Sequence, residues 1–175
     1  MYGDEASVSI HAPVCSTYAP RGKRPVIPTN SEVGKRVYAA SAISEQGDMF
    51  YRVRVKAFDA AAIIDFLRYM LEKMAKKIIL IWDNASIHDC EAMRQFLNAE
   101  PLAKNLFLAK FPPYSPELNP DEQVWHQVKN CGLRNSCYRN VNELLDKVDA
   151  ELKRLANDYQ LVKQFFKHPD VRFYA

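Results

Sequence analysis

The sequence predicts an α/β fold, a mixed five-stranded sheet flanked by helices, and three observations predict it. "MFYRVRVKAF" at 49–58 alternates apolar and basic residues with the period of a strand. "IILIW" at 78–82 is a continuous apolar run of the length of a buried strand. Between them, "DAAAIIDFLRYMLEKMAKK" repeats Ile63, Leu67, Met70, Leu71 and Met74 at helical spacing. Strands and helices thus interleave along 175 residues, enough for one domain, spanning 1–175, with a sizeable core.

Each element has its own signal. "YGDEASVSI" near the start reads as a strand. "RVYAASAI" and "MFYRVRVKAF" flank a turn containing Gly47 and Asp48, which makes them a hairpin. In its second arm Val53, Val55 and Ala57 take a buried face and Arg52, Arg54 and Lys56 a basic one. The following helix opens on Asp59 as its cap. "IILIW" should then be a central strand buried on both faces, followed by a short helix over 89–98 and a strand at "NLFLAKF". Asn140 and Glu143 fit a capping box that opens a long helix with Val141, Leu144, Leu145, Val148, Leu152 and Leu155 inward. The expected order is β-β-β-α-β-α-β-α-α.

Composition excludes several classes. No apolar run approaches the ~20 residues of a membrane span, and "MYGDEASVS" lacks the basic and apolar regions of a signal peptide, so a cytoplasmic protein with no membrane partner is expected. Cys15, Cys90, Cys131 and Cys137 are too scattered for a disulfide framework and form no CxxC pair. His126, Cys131 and Cys137 are the nearest thing to a metal cluster, and a weak one. The net charge is only +3, so its placement carries more than its sum. Residues 11–36 hold four prolines, five basic residues (Arg21, Lys23, Arg24, Lys35 and Arg36) and one acid, which suits either an extended segment on a phosphate backbone or a solvated loop.

The most informative stretch is "KFPPYSPELNPDEQVWHQVKN" at 110–130, which begins with four prolines in eleven residues and turns abruptly helical. Asn119 is a good cap, Pro120 suits the first helical position, and Glu122 falls third, so "NPDE" fits a capping box. A cap does not need "PPYSP" in front of it. The prolines fix the place of a first turn on which Glu122, His126 and Lys129 share a face, while Val124, Trp125 and Val128 turn to the core. Two more acids are candidates. Asp83 follows "IILIW", at the strand end where open α/β sheets place ligands, although an aspartate capping the next turn is equally common. Asp4, with Glu5 beside it, lies early in the first strand and by itself says little.

Together "DEAS", "YAPRGKRP", "IWDNASIH" and "PPYSPELNPDEQVWHQVK" resemble the catalytic domain of DDE transposases, in the insertion-sequence branch of the Tc/mariner superfamily. The resemblance runs to about residue 130, and its last motif is highly specific. It implies a ribonuclease H-like fold and an acidic triad of Asp4, Asp83 and Glu122, with 38 residues between the last two. It also implies two divalent metal ions, Mg²⁺ with Mn²⁺ able to substitute, and cut-and-paste transposition into TA dinucleotides in a prokaryotic cell. The partners it implies are DNA, as transposon ends and target, and a second copy of the chain in the active complex. Two departures stand out: Asp121 occupies a position where isoleucine is usual, and only three residues precede Asp4. Asp4 should therefore fray and be the least well-held ligand. No helix-turn-helix region precedes the triad, so DNA contacts should be sequence-independent, from the 11–36 segment, the Arg52, Arg54, Lys56 face and Lys129.

The chemistry suits these residues independently. Hard divalent cations prefer oxygen ligands, and two of them stabilise the incoming and departing oxygens of a phosphodiester. Asn84 and His88 could orient ligands or meet the scissile phosphate, and His88 could equally be a structural histidine. Another ribonuclease H-like nuclease, or a non-catalytic DNA-binding remnant of a transposase, remain the competing readings.

Overall fold

The computed structural model describes residues 1–11, 16, 18–24, 26, 34–113, 115–167 and 171. Five strands form one sheet: β1 (Tyr2–Ser9), β2 (Arg36–Ile43), β3 (Met49–Arg54), β4 (Ile78–Trp82) and β5 (Leu106–Lys110), in the spatial order β3-β2-β1-β4-β5. The β1, β2 and β3 pairings are antiparallel and those of β1 with β4 and β4 with β5 are parallel, so the sheet is mixed. Its helices are α1 (Ala60–Met74), α2 (Glu91–Ala99), α3 (Glu122–His126), α4 (Val141–Ala156) and α5 (Tyr159–Phe165). α3 runs on into a wider π-helical turn, Gln127–Gly132. The order is the expected one with α5 added.

The sheet separates two cores. On one side Val8, Ile10, Val37 and Ile43 pack with Trp125, Val128, Leu144, Val148 and Leu152. On the other, Ala40, Ala42, Leu80 and Trp82 pack with Ile63, Leu67, Met70, Met93 and Phe96. Alternation along β1 therefore sends Asp4 to the α3 and α4 side and Glu5 to the α1 side. At Gly3 a Cβ would lie 3.1 Å from Leu80 Cδ1 and 3.2 Å from the Ser41 carbonyl oxygen, so glycine lets β1 sit close between its neighbours.

Four expectations need correction. Asp4 does not fray: every residue of β1 from Tyr2 to Ser9 pairs with β2, and the Met1 carbonyl accepts the Ile81 N–H at 2.9 Å. β4 is not buried on both faces, because Ile79 is 60% exposed beside its β5 partner Phe107 at 56%. α4 packs on β2 and β3 and leaves the β4–β5 end of that face open. β3 ends at Arg54, so Val55, Lys56 and Ala57 lie beyond the strand and Val55 is exposed rather than buried. The capping box of α4 is half made: Asn140 accepts the Glu143 N–H at 3.0 Å, but Glu143 returns to the Arg139 N–H at 2.7 Å instead of the cap residue itself. Asp59 caps α1 as expected, accepting the Ala62 N–H at 2.9 Å.

Candidate active site

The parallel pairing Tyr2↔Ile81, continued two residues along both strands, sets Asp4 level with Asp83. Glu122, at the start of α3, joins them from above the sheet, and the three carboxylates line one cleft of about 410 Å³. Its other walls are Asn84, Ala85, Phe111, Pro112, Pro113, Ser115, Pro116 and Asn119. The proline-rich stretch is thus a wall of the cleft.

That wall is clamped. The Phe111 N–H donates to the Trp82 carbonyl at 2.9 Å, and Asn84 Nδ2 donates to the Phe111 carbonyl at 2.9 Å. Both polar groups of the first loop residue are therefore tied to the end of β4 and the residue pair just after it. At the far end of the loop, buried Asn119 donates through Nδ2 to the Gly3 carbonyl at 3.3 Å and accepts the Asp121 N–H at 3.1 Å. The loop is pinned to β4 at one end and to β1 at the other, which is how the start of α3 is fixed over the sheet.

The capping box expected at "NPDE" is not closed. The Asn119 N–H donates to the Pro116 carbonyl at 3.0 Å, so it has no need of the Glu122 carboxylate. Glu122 is exposed and turns into the cleft instead. Its neighbour Asp121 is wholly buried, held by Ser41 Oγ at 2.7 Å, while Asp121 Oδ1 has no hydrogen-bond partner. The position where isoleucine is usual is indeed a core position, and Ser41 makes an acid tolerable there.

Asp4 is held more firmly than either other acid. Its Oδ2 accepts Trp125 Nε1–H at 3.0 Å and its Oδ1 accepts the Glu5 N–H at 2.9 Å. Burial, and then the nearby Glu122 and Glu5 carboxylates, push its pKa up to about 7. Burial likewise raises Asp121 well above its ordinary value, against the Ser41 hydrogen bond. Asp83 is the open member: its side chain is 55% exposed and its Oδ1 accepts the Ala85 N–H at 2.9 Å. The turn-capping role that Asp83 might have had by default is therefore real, and coexists with its place in the cleft.

An all-oxygen donor set, in which burial first and then the neighbouring Glu122 and Glu5 carboxylates disfavour the charged form of Asp4, suits a hard divalent cation, whose positive charge would relieve both. Asp4, Asp83 and Glu122 are the residues placed to hold one.

A family model described as DDE superfamily endonuclease matches residues 1–145. The chain belongs to that family. It is 27% identical over 151 residues to the insertion element IS630 uncharacterized 39 kDa protein of Shigella sonnei, covering 84% of this chain and 42% of that protein. The chain thus spans less than half the length of that relative. Among solved structures it is similar to the Mos1 mariner paired end complex with Mn, at a TM-score of 0.65 and 15% identity over 99% of this chain and 56% of that one. It is also similar to the Mos1 transposase catalytic domain with Raltegravir and Mg, at a TM-score of 0.57 and 16% identity over 99% of this chain and 84% of that one. Identities this low carry the fold alone, and the fold of this DDE-superfamily chain is the ribonuclease H-like one.

The other candidate residues of this DDE-superfamily chain fall in different places. His88 is buried against Trp82, with ring centroids 3.7 Å apart and planes 20° from parallel, and its Nε2 faces Asp83 and Glu5. His126 is exposed on α3 outside the cleft lining, and Lys129 lies half-buried in the π-helical turn. His126, Cys131 and Cys137 form no metal-binding group among the described residues. Arg52 lies over the Tyr69 ring at 3.5 Å, while Arg54 sits 5.4 Å from the Phe58 ring and 3.9 Å from Asp59, which Lys56 approaches at 3.8 Å. Of the basic segment, Arg21, Lys23, Arg24 and Lys35 are exposed, as is Arg36, which donates to Ser7 Oγ at 2.9 Å. Much of 11–36, including Cys15, lies outside the described residues. His88, read from the sequence as a residue that could orient ligands or be structural, does lie beside Asp83, whereas sequence reasoning missed Trp125 as the partner of Asp4 and Glu5 as the other neighbour of His88. Only their adjacency to the motifs hinted at them.

Proposed function

We propose that residues 1–175 act as the catalytic domain of a transposase, cleaving DNA strands and transferring them to a target by means of Asp4, Asp83 and Glu122. The observation that carries this is the convergence of three carboxylates, from β1, the end of β4 and the start of α3, in one cleft. Two divalent cations, Mg²⁺ or Mn²⁺ in its place, are the group this donor set fits. When bound, they supply activation of a water or 3′-hydroxyl and stabilisation of the departing oxygen.

The chain's own residues do the rest. Trp125 fixes the carboxylate plane of Asp4, and the doubly clamped Phe111 holds the proline wall against the cleft, where it excludes bulk water from one side. Asp83 is exposed at the mouth, where it would be one of the residues to hold a cation. Glu122 closes the set from a helix start fixed by Asn119. The similar Mos1 structures with Mn and Mg support the choice of cation, and the Mos1 paired-end complex with a left transposon end supports DNA as the partner; a second copy in the active complex is what the sequence resemblance implies. Kinship with an insertion element protein supports a role in transposition; cut-and-paste movement into TA targets is what the sequence resemblance adds to that reading.

A strand-transfer assay tests it. A duplex carrying a free 3′-hydroxyl should be joined to a second duplex in Mg²⁺ or Mn²⁺, and joining should stop in EDTA. Cleavage of branched or hybrid substrates without joining would instead make the chain a different ribonuclease H-like nuclease. DNA affinity should be weak and indifferent to sequence, with a Kd on the order of 10⁻⁴ to 10⁻⁶ M that weakens steeply with salt.

A further inference from the structure

Across the sheet from Asp4 lies a second group of donors. Glu5 Oε2 is 3.4 Å and Asp83 Oδ1 3.2 Å from His88 Nε2, and one atom from each of the three residues lies within 4.8 Å of the others. The distances are those of an ion pair, but the directions are not those of a hydrogen bond: neither ring nitrogen of His88 has a hydrogen-bond partner. The direction decides here, because a buried imidazole normally satisfies at least one nitrogen. The His88 side chain is 1% exposed and cannot turn to water, since it is stacked on Trp82. Its Nε2 is therefore an unpartnered buried group aimed between two carboxylates.

The spacing fits a metal ion. Four ligands at about 2.0–2.1 Å from a tetrahedral centre lie roughly 3.3 Å from one another, and both separations at Nε2 are close to that. One imidazole and two carboxylates, with room left for water at the exposed Asp83, form a set for a borderline cation such as Zn²⁺ more than for Mg²⁺, which prefers oxygen alone. We propose that Glu5, Asp83 and His88 form a Zn²⁺-class site on the α1 side of the sheet, distinct from the Asp4, Asp83, Glu122 cleft but sharing Asp83 with it. Occupancy of this site would engage the Asp83 carboxylate that the cleft also uses, so Zn²⁺ should oppose the activity proposed above. This last consequence rests on that reading; the binding itself does not.

Trp82 stacks on His88, found in the second site alone, and Trp125 bonds to Asp4, found in the cleft alone; because Asp83 belongs to both, variants of Glu5 and Glu122 separate the two responses. Protein labelled with 5-fluorotryptophan should give two ¹⁹F resonances. Zinc sulfate should move the Trp82 resonance, saturating at one equivalent, in wild type and equally in Glu122→Gln. In Glu5→Gln, a half-buried isosteric change chosen because replacing buried His88 could unfold the protein, the zinc concentration needed should rise at least about tenfold. A Trp82 response that survives unchanged in Glu5→Gln, or zinc that leaves that resonance unmoved in wild type, overturns the site. Magnesium should move the Trp125 resonance in wild type and not in Glu122→Gln. If it moves neither resonance, the triad reading fails while the zinc result stands on its own.

Discussion

The two strand-borne acids of the cleft are held in opposite ways. Asp4 sits inside an eight-residue strand, with both carboxylate oxygens occupied and its plane set by the core residue Trp125. Asp83 stands one residue beyond β4, more than half exposed, with only a local turn and the His88 ring to hold it. One is positioned by the core and the other by its immediate surroundings. The core therefore enforces the position of Asp4 in the metal-free protein at the cost of crowding charges, whereas Asp83 keeps the freedom to change partners. The cation and DNA binding proposed for this site would use both: a fixed reference point and an adjustable arm.

The largest expected effect breaks the adjustable side. Asp83→Asn should cut metal-dependent nicking by at least about a hundredfold, because losing a ligand should cost no less than losing the groups that orient one. The fold should survive, since Asp83 contributes little to the core. Thermal melts check this independently: without metal the variant should melt no lower than wild type, as clustered carboxylates repel, and it should lose most of the stabilisation by Mn²⁺. An equal Mn²⁺ response in both proteins would remove Asp83 from the cation site.

The fixed side should give a smaller loss with a different signature. Trp125→Phe keeps most of the core packing and deletes the N–H that orients Asp4. It should reduce nicking roughly tenfold, as for other groups that orient a ligand, and cost on the order of 1 kcal/mol in stability for the lost hydrogen bond. Nicking in this variant should recover partly at higher Mn²⁺, which the Asp83 variant cannot do. No recovery at any Mn²⁺ concentration would mean that Trp125 acts other than by orienting Asp4.

The same contrast predicts how the metal-free protein responds to pH. The folded pKa of Asp4 is raised from 3.8 to about 7, so between those values the folded state holds a proton that the unfolded chain has released. Stability must fall as pH rises through that window, the reverse of an ordinary paired carboxylate. Melting in EDTA should drop by several degrees from pH 5 to pH 7.5, and Asp4→Asn should flatten the slope. An equal slope in both would assign it to other groups, of which buried Asp121, shifted the same way, is the first to consider.

Sequence carried the order of the elements because periodicity marks a strand or helix wherever it ends up, and the resemblance of its motifs singled out three acids that the fold does bring to one cleft. It could not carry what covers what. The apolar run of β4 reads as buried on both faces, yet Ile79 is open, since nothing in five residues says that α4 will stop at β2 and β3. "NPDE" reads as a closed capping box, yet Pro116 satisfies the Asn119 N–H from three residues upstream and releases Glu122 to the cleft. The Glu5 and His88 grouping is invisible for the same reason: the two residues are 83 positions apart and meet only because Asp83 and the turn after β4 fold back over β1.

The smallest expected effect on nicking lies behind the fixed side, at Asp121 and Ser41. Ser41 is the β2 partner of Asp4, and its hydroxyl is the hydrogen bond that the buried Asp121 carboxyl receives from a side chain. Removing that hydroxyl alone, in Ser41→Ala, strands a second buried oxygen and should cost about 1–3 kcal/mol. Replacing both partners by apolar groups removes the polar burden altogether, which is nearly neutral when shape permits. Adding Asp121→Ile to Ser41→Ala should therefore recover most of the lost stability, leaving a coupling of about 1 kcal/mol between the two positions in a double-mutant cycle. Nicking by the double variant should stay near wild type, because Asp4 keeps Trp125 and Glu122 keeps its place on α3. A double variant no more stable than Ser41→Ala would show that the pair is not a self-contained polar contact in the core. Stability recovered without nicking would instead place Asp121 among the groups that set the position of Glu122.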